Sequence, residues 1–220
     1  MIKLVVFDWN GTLFSDTTAA LVGVNARLKY LGQDPITMKH YKEIFEIPAT
    51  KTYEKLGLDS DKTEADAKAH SEAFHTAYEK RAVNVRTRSG TRELLQYLNN
   101  SNIQSIILSN HTKQGIDFQL KRLKLSMYFE GVLANQDIWS SNFKGKNDRL
   151  VDYLKETDLK PKEILIIGDS AEEVIIGKTL GLHTVAITGG FVSTKRLKES
   201  NPDVLIHNLR DLIDVVKEIK

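Results

Sequence analysis

Three clusters of reactive side chains stand directly after short apolar runs in this chain. Leu4–Phe7 leads into Asp8-Trp9-Asn10-Gly11-Thr12-Leu13, Ile106–Leu108 into Ser109-Asn110-His111, and Ile164–Ile167 into Gly168-Asp169-Ser170-Ala171-Glu172-Glu173. Carboxylates, hydroxyls and amides are the groups that attack an electrophile, hold a hard cation or bind an oxyanion. A single Asp after a strand is usually a helix cap, because its oxygen satisfies orphan N–H groups of the following helix. Three such clusters in one chain argue for a shared site. The chain has zero cysteines, which excludes a thiolate nucleophile, a disulfide framework and a zinc ribbon.

The elements that must position these clusters are legible in the apolar pattern. The three runs above, with Val132–Leu133, Val185–Ile187 and Val204–Ile206, are mostly β-branched and do not alternate, as in strands buried on both faces. Between them apolar residues recur at about 3.6 spacing, as in Leu94, Leu95 and Leu98, or Leu212, Ile213 and Val216. Strands alternating with helices predict an α/β fold with a Rossmann-like parallel sheet, whose ligands sit beyond the carboxyl ends of the strands. The rhythm fails between residues 15 and 85, where helices are expected over Thr17–Leu31, Lys51–Leu56 and Thr63–Arg81, with breaks at Gly32, Pro35, Pro48 and Gly57. The expected organisation is a core of residues 1–14 and 86–220 with an all-helical cap domain, residues 15–85, inserted after the first strand.

With 220 residues, 41% of them hydrophobic, the chain is long enough for a proper core. Lys and Arg total 31 against 29 Asp and Glu, a balance that argues against nucleic acid or an anionic membrane as the main partner. Met1–Phe7 is too short for a signal-peptide apolar region, so a cytoplasmic protein is expected. Nothing in the sequence indicates an oligomeric state.

Taken together, Asp8-x-Asn10-Gly11-Thr12-Leu13, Ser109, Lys146 and Gly168-Asp169-Ser170-x-x-Glu173 resemble the four motifs of the haloacid dehalogenase superfamily of phosphotransferases. The helical insertion between the first and second motifs is similar to the C1-capped, phosphoglycolate phosphatase-like subclass. The resemblance implies a Mg²⁺-dependent hydrolase of a small phosphorylated metabolite in which Asp8 forms an aspartyl-phosphate. Asp8, the carbonyl of Asn10 and Asp169 would hold Mg²⁺. Trp9, Asn10, Gly11 and Thr12 would supply backbone N–H groups to phosphate, Ser109 and Asn110 would contact its oxygens, and Lys146 would add positive charge. Lys144 is the alternative to Lys146. Glu173 would orient Lys146 or a metal-bound water, whereas Glu172 reads as a solvent-facing charge. His111 is a further candidate for phosphate or substrate contact, His70 and His75 read as solvated, and Gly189-Gly190-Phe191 reads as a turn near the cap entrance.

The chain departs from that family at Asn10, where most phosphatase members carry the Asp that protonates the leaving oxygen. An amide exchanges no proton, which removes a contribution of roughly 10²–10⁴ from acid–base catalysis. Three expectations follow: a slow phosphatase, a hydrolase whose leaving group needs no protonation, or a phosphate-binding protein without turnover. Asp8-Trp9 with a non-acidic third residue also resembles phosphonoacetaldehyde hydrolase, which uses a cap lysine. Lys51 stands at a comparable distance, although Pro48-Ala49-Thr50-Lys51 matches that motif poorly.

Overall fold

The computed structural model describes residues 1–58, 64–136 and 144–219. Six strands form one parallel sheet: β1 (Leu4–Phe7), β2 (Gln104–Thr112), β3 (Gly131–Asn135), β4 (Ile164–Gly168), β5 (His183–Ile187) and β6 (Val204–Ile206), in the order β3-β2-β1-β4-β5-β6. All four residues of β1 are buried, because helices cover both faces of the sheet and leave no wet side to impose alternation. The chain builds outward on one side of β1, then crosses to the other, so the winding reverses between β1 and β4, where Phe7 registers with Ile167. Asp8 and Asp169 therefore emerge at the reversal point, the crevice in which open parallel sheets bind ligands.

Among the described residues, four helices lie between β1 and the first core helix: α1 (Thr17–Tyr30), α2 (Met38–Ile44), α3 (Thr50–Glu54) and α4 (Glu64–Ala82). The start of the expected helix at Thr63 lies outside the described residues. The chain enters and leaves this helical segment side by side, Ser15 N–H donating to Arg86 O at 3.0 Å and Arg88 N–H to Leu13 O at 2.9 Å. Long helices α1 and α4 pack on each other, and Gly23 permits their approach, since a Cβ there would meet the Phe74 ring at 2.8 Å. Val24, Leu28, Tyr41, Tyr53 and Tyr78 of the segment join Trp9, Leu13 and Phe14 in one apolar cluster.

The remaining helices are α5 (Thr91–Asn100), α6 (Lys113–Leu123), α7 (Lys146–Lys155), α8 (Ala171–Leu180), α9 (Thr194–Glu199) and α10 (Asp211–Glu218). Two differ from expectation by existing at all. α2 and α9 are short and charged, each buries a single residue (Tyr41 and Leu197), and neither is long enough to display a helical period. They face each other: Arg196 of α9 donates to Phe45 O at 2.7 Å and to Glu46 Oε1 at 2.8 Å, at the end of α2. β2 also runs further than the Ile106–Leu108 run suggested, through polar Ser109-Asn110-His111-Thr112.

Candidate active site

Lys146, the first residue of α7, is buried and projects its ammonium among three carboxylates. Its Nζ lies 2.7 Å from Asp8 Oδ1 and 3.3 Å from Glu172 Oε2, and it donates to Glu173 Oε1. Glu173 is buried, one turn into α8, and accepts from Ser170 Oγ at 2.7 Å. Gly168 makes room for it, since a Cβ there would collide with the Glu173 side chain. Burial pushes the Asp8 carboxyl up to about 7, while Lys146 and the Thr12 hydroxyl pull it down. The surrounding carboxylates hold the Lys146 ammonium charged, well above the usual lysine range, against the cost of burial. Lys144, the alternative, is exposed and pairs with Asp152.

Ser109 and Asn110 bring the end of β2 to the same place. The buried Ser109 Oγ accepts from His111 N–H at 3.1 Å, and Asn110 Nδ2 donates to Glu172 Oε2 at 2.9 Å. Glu172 is thus no solvent-facing charge: the first turn of α8 carries it to both Asn110 and Lys146. Arg149, one turn after Lys146, fixes this strand end by donating to Ser109 O at 2.9 Å. The sequence gave no sign of that role.

Across the reversal point, Asp169 is buried and accepts at Oδ2 from Phe191 N–H at 2.5 Å. Gly11 and Gly190 enclose it so closely that a Cβ on either would collide with the carboxylate. Burial, and then the charge of Asp8, raises the Asp169 pKa well above the carboxylate range. Two buried carboxylates that disfavour each other's charge, cradled by glycines, form a hard-oxygen donor set. Among the described residues no group of three or more His, Cys, Asp or Glu forms a metal cage. A cation here would take Asp8, Asp169 and the Asn10 carbonyl and complete its shell with water, which fits Mg²⁺.

Asn10 does not point its amide into open space. Its Nδ2 donates to Asp16 Oδ2 at 2.7 Å and to Tyr78 OH at 3.2 Å, and Tyr78 OH donates to the same Asp16 oxygen at 2.8 Å. Asp16 Oδ1 accepts from Gly11 N–H at 2.9 Å. Asp16 precedes α1 and has the sequence position of an N-cap, yet it makes no side-chain cap bond. Nothing in the local sequence distinguishes it from a cap, and Tyr78 reads only as one aromatic on a helix.

Trp9 is buried and stacked on Phe14, with centroids 5.2 Å apart. Both rings line a cavity of about 310 Å³ with Tyr78, Glu79, His111 and Phe118. His111 is half-buried there, and loss of solvent around the ring lowers its pKa below the ordinary 6.5. His75, expected to be solvated, is half-buried, edge-on to Phe74, with its pKa lowered by burial. Gly189-Gly190-Phe191 does more than turn, since it delivers a donor to Asp169. Lys51 is exposed on α3, where its charge is felt by Glu46.

Comparison with known proteins gives a consistent picture. The family model for haloacid dehalogenase-like hydrolases matches residues 5–187. The phosphoglycolate phosphatase of Pseudomonas fluorescens is 25% identical over 219 residues, covering 96% of this chain and 78% of that protein. That of Photobacterium profundum is 26% identical over 226 residues, covering 98% and 96%. A solved haloacid dehalogenase-like family hydrolase from Streptococcus pneumoniae shares the fold at a TM-score of 0.81 and 19% identity, with 98% of both chains covered. Among the described residues, no helix is long and apolar enough to cross a membrane.

Proposed function

The chain belongs to the haloacid dehalogenase-like hydrolase family, and we propose that it hydrolyses the phosphate monoester of a small metabolite in a Mg²⁺-dependent reaction through an aspartyl-phosphate on Asp8. The observation that carries this reading is the buried Asp8–Lys146–Glu173 array beside Asp169 at the β1/β4 crevice. An oxygen of Asp8 forms the bond to phosphorus as the ester oxygen leaves with its electron pair. Water then attacks phosphorus and releases Asp8. Lys146 and the Ser109 hydroxyl face the phosphoryl oxygens and stabilise the charge that spreads over them. Bound Mg²⁺ would offset the repulsion between the two carboxylates and a phosphate dianion.

The helical segment 15–85 acts as the cap, and the cavity between α4 and α6 receives the leaving group. Glu79 is the one formally charged side chain among its described lining residues, and burial favours neutral His111. An uncharged leaving group suits this cavity better than a carboxylate. Phosphate binding without turnover is the second reading, favoured by the Asn10 amide being bonded to Asp16 and Tyr78 and not free for a leaving oxygen. Hydrolysis of a chromogenic aryl phosphate, with and without Mg²⁺, separates the two, because an aryl oxide departs without protonation. Mg²⁺-dependent turnover that falls at least about 10³-fold in Asp8→Asn is expected. Its absence in the wild type would favour the binding reading, and activity near the wild-type level in Asp8→Asn would remove Asp8 from the mechanism.

A further inference from the structure

We propose that Tyr78 and Asp16 are positioning residues that aim the Asn10 backbone carbonyl, so that docking of helix α4 on the core presets the oxygen offered to the cation. This rests on the Mg²⁺-dependent phosphatase reading. The Asn10 carbonyl and the Gly11 N–H belong to the same planar unit, and in a trans peptide they point in opposite directions. That N–H is shared between Asp16 Oδ1 and the Phe14 carbonyl, each at 2.9 Å, so the two acceptors together fix the carbonyl on the opposite side, and Asp16 is the one of them tied to the Asn10 side chain. Asp16 Oδ2 takes the Asn10 side chain at 2.7 Å, which leaves the residue anchored at both its side chain and its following amide.

Asp16 is in turn held from the helical segment. The hydroxyl of Tyr78 on α4 donates to Asp16 Oδ2 at 2.8 Å and accepts from Asn10 Nδ2 at 3.2 Å, closing a three-membered network. The Tyr78 ring is stacked on Phe74 with centroids 5.7 Å apart and is tilted against His111 at 6.1 Å. The hydroxyl is therefore delivered by packing, and α4 cannot lift without breaking a bond to a buried carboxylate. The network also explains the residue at position 10. An amide there gives Asp16 Oδ2 a second donor beside the Tyr78 hydroxyl, which an ionised carboxylate does not.

Calorimetric titration of Mg²⁺ into substrate-free protein tests this, in parallel with aryl phosphate turnover. Tyr78→Phe keeps the ring and removes only the hydroxyl. Asp16→Asn sets amide against amide at Asn10. Each is expected to weaken Mg²⁺ binding about tenfold or more, as loss of a partner that orients a ligand does, and to raise the Mg²⁺ concentration for half-maximal turnover in proportion. The exchange Asn10→Asp with Asp16→Asn reverses donor and acceptor between side chains 10 and 16, leaves residue 16 an amide oxygen to accept the Gly11 N–H, and preserves charge and size, so it is expected to recover most of the affinity lost in Asp16→Asn. Folded Tyr78→Phe binding Mg²⁺ within twofold of the wild type would overturn the proposal, as would a folded exchange variant no better than Asp16→Asn. Absence of wild-type turnover with normal Mg²⁺ binding would count against the phosphatase reading alone, leaving the Mg²⁺ comparison to decide the role of Tyr78 and Asp16.

Discussion

A single atom difference separates Asn10 from the acid that the phosphatase pattern places there, and its surroundings decide what that difference does. Restoring the acid alone sets a carboxylate 2.7 Å from the buried Asp16 oxygen. Asn10→Asp is accordingly expected to gain little with alkyl phosphates and to lose thermal stability, whereas the exchange with Asp16→Asn provides an acid without the repulsion. A rise of up to about 10²–10⁴ in alkyl phosphate turnover is expected for the exchange, and rates equal to those of folded Asn10→Asp would show that the Asp16 charge is not the obstacle. His111 offers a second check at this scale. Its folded pKa is depressed, so its contribution to stability is present above the unfolded value near 6.5 and is lost as pH falls through the folded value. Proton NMR should place its midpoint below 6.5; a midpoint above it would mean the ring is not shielded from water. Asp8, Ser109, Lys146, Asp169 and Glu173 were all legible in the sequence and do converge. Tyr78 and Arg149 were not, because each bonds to a partner distant in sequence and carries no spacing of its own, and Asp16 was not, because its place before α1 reads as an ordinary helix cap.

Elements hold these side chains to different degrees. Strands were readable because burial on both faces leaves unbroken apolar runs, as in Ile164–Ile167, buried throughout in β4. The end of β2 was not, because Ser109 to Thr112 are polar residues in extended conformation. α2 and α9 were missed for the same reason that they matter: they are held by each other more than by a buried stripe. Arg196 ties the end of α2 to α9, Phe45 stacks on Phe191 at 5.0 Å, and Phe191 N–H holds Asp169. Arg196→Ala is expected to cost about 1–2 kcal/mol in urea unfolding, given the partly buried hydrogen bonds it donates to Lys42 O, Phe45 O and Glu46. Amide exchange in residues 38–46 should accelerate, and KM for a substrate should rise more than kcat falls. Unchanged exchange in α2 would show that the aromatic contact holds the seam without the arginine.

For the whole molecule, the two strand ends at the reversal point are joined by backbone pairing on one side and by repulsion on the other. Phe7 and Ile167 are neighbours in the sheet, yet the carboxylates that follow them disfavour each other's charge. A cation held by both relieves that repulsion in the folded state, while in the unfolded chain Asp8 and Asp169 are far apart and offer no joint site. On the proposed Mg²⁺ dependence, Mg²⁺ is expected to stabilise folding by mass action, by about 2.7 kcal/mol at a hundredfold excess over Kd. For a chain of this length that corresponds to a rise in Tm of roughly 5–10 °C. The rise should vanish in Asp169→Asn, which also removes part of the repulsion, so the variant should unfold at or above the Tm of the metal-free wild type. The opposite pair of results, a metal-independent wild-type Tm and a less stable Asp169→Asn, would mean that the Phe191 N–H bond to Asp169 is purely structural and that the folded chain does not bind Mg²⁺ at that concentration.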